Sequence, residues 1–193
     1  MLKMPDYYVQ VDAMPEDPEN SVPMCAQSNS ANIFTIAYPI DVMQAMPFEN
    51  PQLVIDGIHE ALSDDQGLIE VGSGYTKADA PYIYSIVKTK MEPTGVQYIL
   101  TYQIREKKYA VNLQGFFDEA GVTGQRDAMI YAALQNQGLL AADLEGWMKD
   151  PYDPDYSRGL LMNLSEQVQY DEAFPEHPLS MARELVHFLN DNN

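Results

Sequence analysis

The chain predicts an α+β fold, a central antiparallel sheet with helices packed on it, and three observations predict it. Four alternating, β-rich segments follow one another between residues 68 and 117, with links too short for a parallel crossover. A strand-like run and a helical run precede them, and a second helical run follows. The 193 residues suffice for one buried core, and no internal repeat divides them. The expected organisation is a single domain: an irregular N-terminal arm (1–31), a sheet-and-helix core (32–138) and a C-terminal extension (139–193) packed on that core.

In chain order, four prolines (Pro5, Pro15, Pro18, Pro23) punctuate the arm. "NIFTIAYPI" (32–40) reads as a strand by its β-branched and aromatic content, with Pro39 ending its pairing. "ENPQLVIDGIHEALSD" reads as a helix. Asn50 stands at the N-cap, Pro51 at the first helical position, and Leu53, Val54, Ile58, Ala61 and Leu62 form its stripe; Gly67 is the exit. The four strands are 68–76, 82–91, 96–105 and 109–117, joined by "KADAP", "EPTG" and "EKK". In the second, Tyr82, Tyr84, Ile86 and Lys88 share one face and Ile83, Ser85 and Val87 the other, so both faces are expected to be covered. "GVTGQRDAMIYAALQNQG" predicts a helix capped by Thr123, stopped by Gly138, and burying Met129, Ile130, Ala133 and Leu134. The last helix starts at Pro178. Its inner stripe is Leu179, Ala182, Leu185, Val186 and Leu189, with Arg183, Glu184 and His187 outside it.

The formal charge of −18 is unevenly spread. Residues 1–70 carry 12 acids and one base, residues 71–140 six acids and seven bases, and residues 141–193 eleven acids and three bases. Such a chain is repelled by phosphate backbones and anionic lipid heads, so the expectation is no nucleic acid and no membrane. The opening residues lack an apolar leader segment, and the single cysteine, Cys25, excludes an internal disulfide. The cytoplasm is the expected compartment, and another protein the expected partner.

No catalytic, cofactor-binding or metal-binding set is predicted. "DPYDPDYSRG" (150–159) fails the calcium-loop spacing, and Pro151 and Pro154 remove amide donors. It reads as a stiff connector in preference to an interaction surface or a cation site. Asp150 and Asp153 act as turn formers, Arg158 is available to neutralise a carboxylate, and Trp147 and Tyr152 pin the loop to the body. His59, His177 and His187 show no metal spacing, and acids around Cys25 disfavour a thiolate. "VGSGYT" (71–76) reads as a strand with close backbone approach. The candidate interaction surface is Lys88, Lys90, Arg105, Lys107 and Lys108, a basic edge on an acidic protein, together with Arg126, Trp147 and Tyr152. The basic edge reads first as protection against aggregation, or else as a seat for the acidic tail or an acidic partner. Arg126 sits near a helix start, where the dipole disfavours a cation, and is expected to have a structural partner.

The element order of "IFTIAYPI", the helix at 50–63, the hairpins of 68–117 and the helix beginning "TGQRDAMI" resembles the Mog1/PsbP-like fold over residues 30–138. That resemblance implies a twisted antiparallel sheet between helices and a non-enzymatic binding, adaptor or chaperone-like role. Relatives of that type bind a small GTPase, assist a photosystem or chaperone secreted effectors. No binding residue carries over. The alternative function is a hydrolase-like enzyme using carboxylates of the acidic C-terminal segment.

Overall fold

The computed structural model of the chain describes residues 2–140, 144 and 146–193. Met1 and, in the extension, Ala141, Ala142, Asp143 and Glu145 lie outside the described residues. Seven strands form one antiparallel sheet: β1 (Val9–Gln10), β2 (Val22–Gln27), β3 (Ala31–Ile40), β4 (Gln66–Tyr75), β5 (Pro81–Lys90), β6 (Val96–Arg105) and β7 (Ala110–Glu119). Among the described residues three α-helices accompany it: α1 (Pro51–Ala61), α2 (Gln125–Asn136) and α3 (Pro178–Asn192). The strand order is β1-β2-β3-β7-β6-β5-β4. The meander β4–β7 therefore runs back to meet β3, with Ile86 opposite Leu100, Tyr102 opposite Leu113 and Phe117 opposite Ile33.

Alternation, interrupted in β4 by a register shift between Leu68 and Glu70, sends one set of side chains to each face. On the first face Ile86, Leu100, Tyr102, Leu113 and Phe117 join Leu179, Ala182, Leu185, Val186 and Leu189 of α3 in the main core. Burying each such leucine contributes about 1.5–3 kcal/mol. On the opposite face Ile55 of α1 packs with Leu68, Val71 and Val87. The helix α2 docks on a 3-10 turn at Leu164–Glu166. Residues 3 and 193 meet: the Lys3 amide donates to Asn193 Oδ1 at 2.6 Å, and Asn193 Nδ2 donates to the Lys3 carbonyl at 3.2 Å. No helix among the described residues is long and apolar enough to cross a membrane.

Several expectations are corrected here. The arm is not wholly irregular, because β2 pairs with β3 from Val22–Ala37 to Gln27–Asn32 and carries β1 on its outer side. Pro39 does not end pairing; it lies in β3 opposite Val111. Pairing with β2 has already stopped at Ala37, so Pro39 has a strand on one side only, a position that tolerates a missing donor. In α1, Asn50 is the N-cap residue but its side chain makes no cap bond. Leu53 is 57% exposed, and Ile55 takes its place beside Val54 and Ile58. Gly67 is not a helix exit but the second residue of β4. In α2 the N-cap is Gly124, at φ +69°, not Thr123, and Met129 is exposed while Arg126 is buried. In α3, Arg183 lies inside, not outside, the buried stripe.

Candidate functional site

Lys88, Arg126, Glu166 and Arg183, four of the buried charged residues among those described, gather around the turn Leu164–Glu166. Asn163 and Glu166 form a capping box: Asn163 Oδ1 accepts from the Ser165 amide at 2.8 Å, and Glu166 Oε2 accepts from the Asn163 amide at 2.7 Å. The same carboxylate takes Lys88 Nζ from β5 at 2.7 Å and the Tyr98 hydroxyl from β6 at 2.9 Å. The side chains of Lys88 and Glu166 are 3% and 1% exposed. Lys88 and Tyr98 are direct cross-strand neighbours, so the sheet register itself brings both donors to Glu166.

From the other side α2 supplies two neighbouring residues. The Asp127 carboxylate accepts from the Ser165 hydroxyl and from Asn163 Nδ2. Burial pushes the Asp127 pKa up, against the Ser165 hydrogen bond and with the Glu166 charge. Arg126 is fully enclosed. Its Nε donates to the Ser165 carbonyl (2.7 Å), Nη1 to Ser180 Oγ (2.9 Å) and Nη2 to the Gln167 carbonyl (3.1 Å), with Asp171 Oδ1 at 2.9 Å and the Phe174 ring under its plane. Arg183 of α3 closes the circuit. It donates to Glu70 Oε2 (2.7 Å), to both Asp171 oxygens (3.1 Å) and to the Glu166 carbonyl (2.9 Å), while Tyr84 donates to Glu70. Burial works against the Arg183 charge, but Glu70 and Asp171 outweigh it and hold its pKa above the ordinary value. Three cations thus pair with three carboxylates, and a fourth, Asp127, is held by Ser165 and Asn163; the set joins β4, β5, α2, α3, the turn and Asp171, with Tyr98 of β6 as a neutral donor.

A second constellation lies under the 150–159 loop. Asp150 Oδ1 accepts the amides of Tyr152 and Asp153, both at 2.9 Å, and Asp153 Oδ1 accepts the amide of Asp155 at 2.9 Å. These are self-bonded turns of the kind that Asp-Pro sequences favour. Asp150 Oδ2 meets His59 Nε2 at 2.9 Å, so His59, not the exposed Arg158, partners this carboxylate. Tyr156 stacks on the His59 ring at 4.1 Å, and the Tyr152 hydroxyl caps the edge of β4 by bonding both the amide and the carbonyl of Val71. Trp147 lies edge-on to Tyr131 of α2. Among the described residues no three His, Cys, Asp or Glu side chains converge as a metal site.

A third, smaller set joins His177 to Glu119. His177 caps α3, its Nδ1 accepting the Leu179 amide at 3.2 Å, which leaves the proton on Nε2, 3.5 Å from Glu119 Oε1. Glu119 also accepts the amides of Val96 and Gly124. Burial opposes ionisation there, but the His177 bond and these amides outweigh it and hold the pKa below the ordinary value.

Of the sequence-predicted interaction residues, Lys88 and Arg126 enter the central network and are buried. They are therefore no surface. The proposed basic edge is not an edge: β5 and β6 are interior strands. Lys88 lies opposite Tyr98, while Arg105 lies opposite Ala110 at the far end of the sheet. Lys90 is exposed beside Glu92, and Arg105, Lys107 and Lys108 are exposed around the β6–β7 turn. Sequence reading did not single out Glu70, Tyr98, Asp127, Ser165, Glu166 and Arg183. Two signals were present: the N-x-x-E pattern of Asn163–Glu166, and the spacing of Arg183 four residues after Leu179 and three before Val186. No protein-family model matches the chain, and no curated protein matches it.

Proposed function

We propose that this chain is a non-catalytic binding protein, an adaptor or chaperone-like module of the Mog1/PsbP-like type, acting on another protein in the cytoplasm. The observation that carries this reading is the closure of the buried charge network. Glu166, Asp171 and Asp150, the most enclosed carboxylates of the acidic C-terminal segment among the described residues, each accept hydrogen bonds from donors of the same chain. A catalytic carboxylate needs an open side from which to reach a substrate or a water. The meander β4–β7 that returns to β3 and the packing of α1 on the sheet support the fold resemblance, while α3, which covers the other face, lies outside the residues that carry it. Glu166, Asp171 and Arg183 support reading 139–193 as a wrap held to the core by ions as well as by leucines.

For the partner surface, the reading keeps Arg105, Lys107 and Lys108, three exposed cations on a chain of net charge −18. They suit an acidic segment of a partner. A fluorescent polyglutamate peptide should bind weakly, with an affinity that falls as salt rises, and the binding should disappear in Lys107→Glu/Lys108→Glu. Equal binding by that variant would remove this surface. Ester, phosphoester, glycoside and peptide substrates should not be turned over. A turnover that co-purifies with the chain and is lost in folded Asp171→Asn protein would establish the hydrolase reading instead.

A further inference from the structure

β4 is one edge of the sheet, and its outer backbone groups are only partly engaged. The Tyr152 hydroxyl bonds both the amide and the carbonyl of Val71, so these two groups point away from β5. Backbone groups alternate in direction along an antiparallel strand, and the register from Val71 to Tyr75 is unbroken, so those of Ser73 and Tyr75 point the same way. Pro81, directly opposite Tyr75, has no amide to offer it. Among the described residues nothing bonds the outward amide and carbonyl of Ser73 or of Tyr75, and both residues are exposed. At the other end of the edge the Leu160 amide donates to the Gln66 carbonyl at 2.8 Å. The chain's own 150–160 segment therefore covers the edge as far as Val71 and leaves the stretch beyond it open. The two faces of that stretch differ in chemistry. On the α1 face, where Val71 also lies, a cleft of about 290 Å3 is lined by Ser73, Tyr75, Phe48, Pro81 and Arg105. Ion pairs of the described lysines and arginines fall at Lys77, Lys88, Lys90, Arg126 and Arg183, so Arg105 enters the cleft without a carboxylate. Glu49 shares the lining but lies beyond ion-pair reach of Arg105. On the α3 face Gly72 and Gly74 have no side chains, and the Tyr84 and Tyr82 rings of β5 lean across them. A Cβ at Gly72 would stand 2.5 Å from the Tyr84 ring, and one at Gly74 3.0 Å from the Tyr82 hydroxyl. The two rings, with centroids 6.4 Å apart, carry an aromatic surface out to the edge.

We infer that β4 accepts an added antiparallel strand at Ser73 and Tyr75, supplied by an extended segment of a partner protein in which acidic and apolar residues alternate. Unpaired edge groups are a template for such a strand, and its backbone supplies the missing donors and acceptors. Opposite residues of an antiparallel pair share a face, so the residues bonded to Ser73 and Tyr75 send their side chains to the cleft, where Arg105 selects an acid. The residues between them fall on the Tyr82 and Tyr84 side, which selects apolar side chains. A second copy of this chain fits this edge less well. Its own β4 would bring serine and tyrosine to Arg105, and each copy carries a formal charge of −18. The inference rests on the reading of the chain as a binding protein for an acidic segment, and it names the way that segment is held.

The test uses the full chain and the labelled peptide acetyl-Thr-Val-Glu-Val-Thr-amide, followed by fluorescence anisotropy. Two further probes carry one N-methyl group each, on the glutamate amide or on the amide of the valine after it. All three have the same charge, but in an added strand the glutamate amide faces β4 and the valine amide faces solvent. The parent peptide should bind saturably at one equivalent. Methylation at glutamate should weaken it at least about tenfold, and methylation at valine should leave it unchanged. Arg105→Gln should weaken the parent peptide by about three- to tenfold. Ser73→Pro removes an outward amide that the β4–β5 ladder does not use, so the fold should survive, as circular dichroism checks, and binding should be lost. Absence of saturable binding, equal affinity of the two methylated peptides, or undiminished binding by folded Ser73→Pro protein would each overturn the added strand. The methylated pair decides on the unaltered chain, whatever Ser73→Pro does to folding. Discrimination between the two supports the strand even where Lys107→Glu/Lys108→Glu still binds polyglutamate. Polyglutamate binding that this variant loses, with no discrimination between the methylated peptides, leaves the charged surface standing and overturns the strand.

Discussion

Glu166 accepts three hydrogen bonds in a place water does not reach, and its charge is balanced there chiefly by Lys88. Breaking a buried pair leaves the surviving ion uncompensated, which costs far more than the pair's net worth. Lys88→Met should therefore destabilise the fold by about 3–5 kcal/mol. Adding Glu166→Gln should recover part of that loss, because the amide carries no charge. Urea unfolding of both variants measures this; a loss under about 1 kcal/mol in Lys88→Met would mean that water reaches the pair. Glu119 makes a different prediction. Its pKa is lower in the folded chain than its ordinary 4.5, so the folded state binds its proton less readily than the unfolded state. The stability it confers is present above 4.5 and lost as pH falls through the lower folded value. Asp127, raised from 3.8, acts in the opposite sense: its contribution fades as pH rises through its folded value. Glu119→Gln should flatten the acid limb of a plot of urea midpoint against pH as pH falls below 4.5, and an unchanged limb would remove Glu119 from the account. At this scale the sequence was legible where a residue broke a local rule, as Arg126 does at a helix start. It was not legible where the partner is remote. Arg183 sits 113 positions from Glu70, and a charge at a helical stripe position reads as surface until such a partner is known.

Two glycines separate local preference from tertiary context among the elements. Gly57 lies mid-way along α1 with nothing within 4 Å of where a Cβ would stand. Gly57→Ala should stabilise the chain by about 0.5–1 kcal/mol, seen as a higher melting temperature. Gly67 in β4 is the reverse case, since a Cβ there would fall 1.6 Å from the Leu160 carbonyl oxygen. The strap bearing Leu160 donates its amide to Gln66 at 2.8 Å, so Gly67→Ala must push that backbone off the sheet edge. A loss of more than about 1 kcal/mol is expected, and a neutral substitution would show that the strap is not held there. The contrast also explains what could be read in advance. The four strands of the meander were legible because their links are too short for any other geometry. β1 and β2 were not, because Pro15, Pro18 and Pro23 mask a strand whose pairing is supplied by β3. Gly67 looked like a helix stop because the residue that demands it lies 93 positions later (160 − 67).

For the whole molecule, the prediction concerns the C-terminal residues. Deleting 160–193 removes α3 and with it Leu179, Leu185 and Leu189 from the main core. It also removes Glu166 and Asp171, and so strips Lys88 and Arg126 of their carboxylates. The truncated chain should aggregate or melt without a cooperative transition, as size-exclusion chromatography and circular dichroism would report. A monomer that melts at the same temperature would make those residues an appendage. The α3 stripe was legible from its spacing; the ions that accompany it were not, because seven charges from four elements, the turn and Asp171 meet only once the fold exists. Lys3 and Asn193 also clasp each other, so the backbone is nearly a ring. A ring can be opened anywhere that carries no pairing. Joining the two residues through a linker of about four to six residues and cutting between Pro93 and Thr94, exposed in the β5–β6 turn, gives a circular permutant. It should reach the same fold with a similar melting temperature. A permutant that fails to fold would mean that the order in which the strands leave the ribosome, and not their final neighbours alone, decides the outcome.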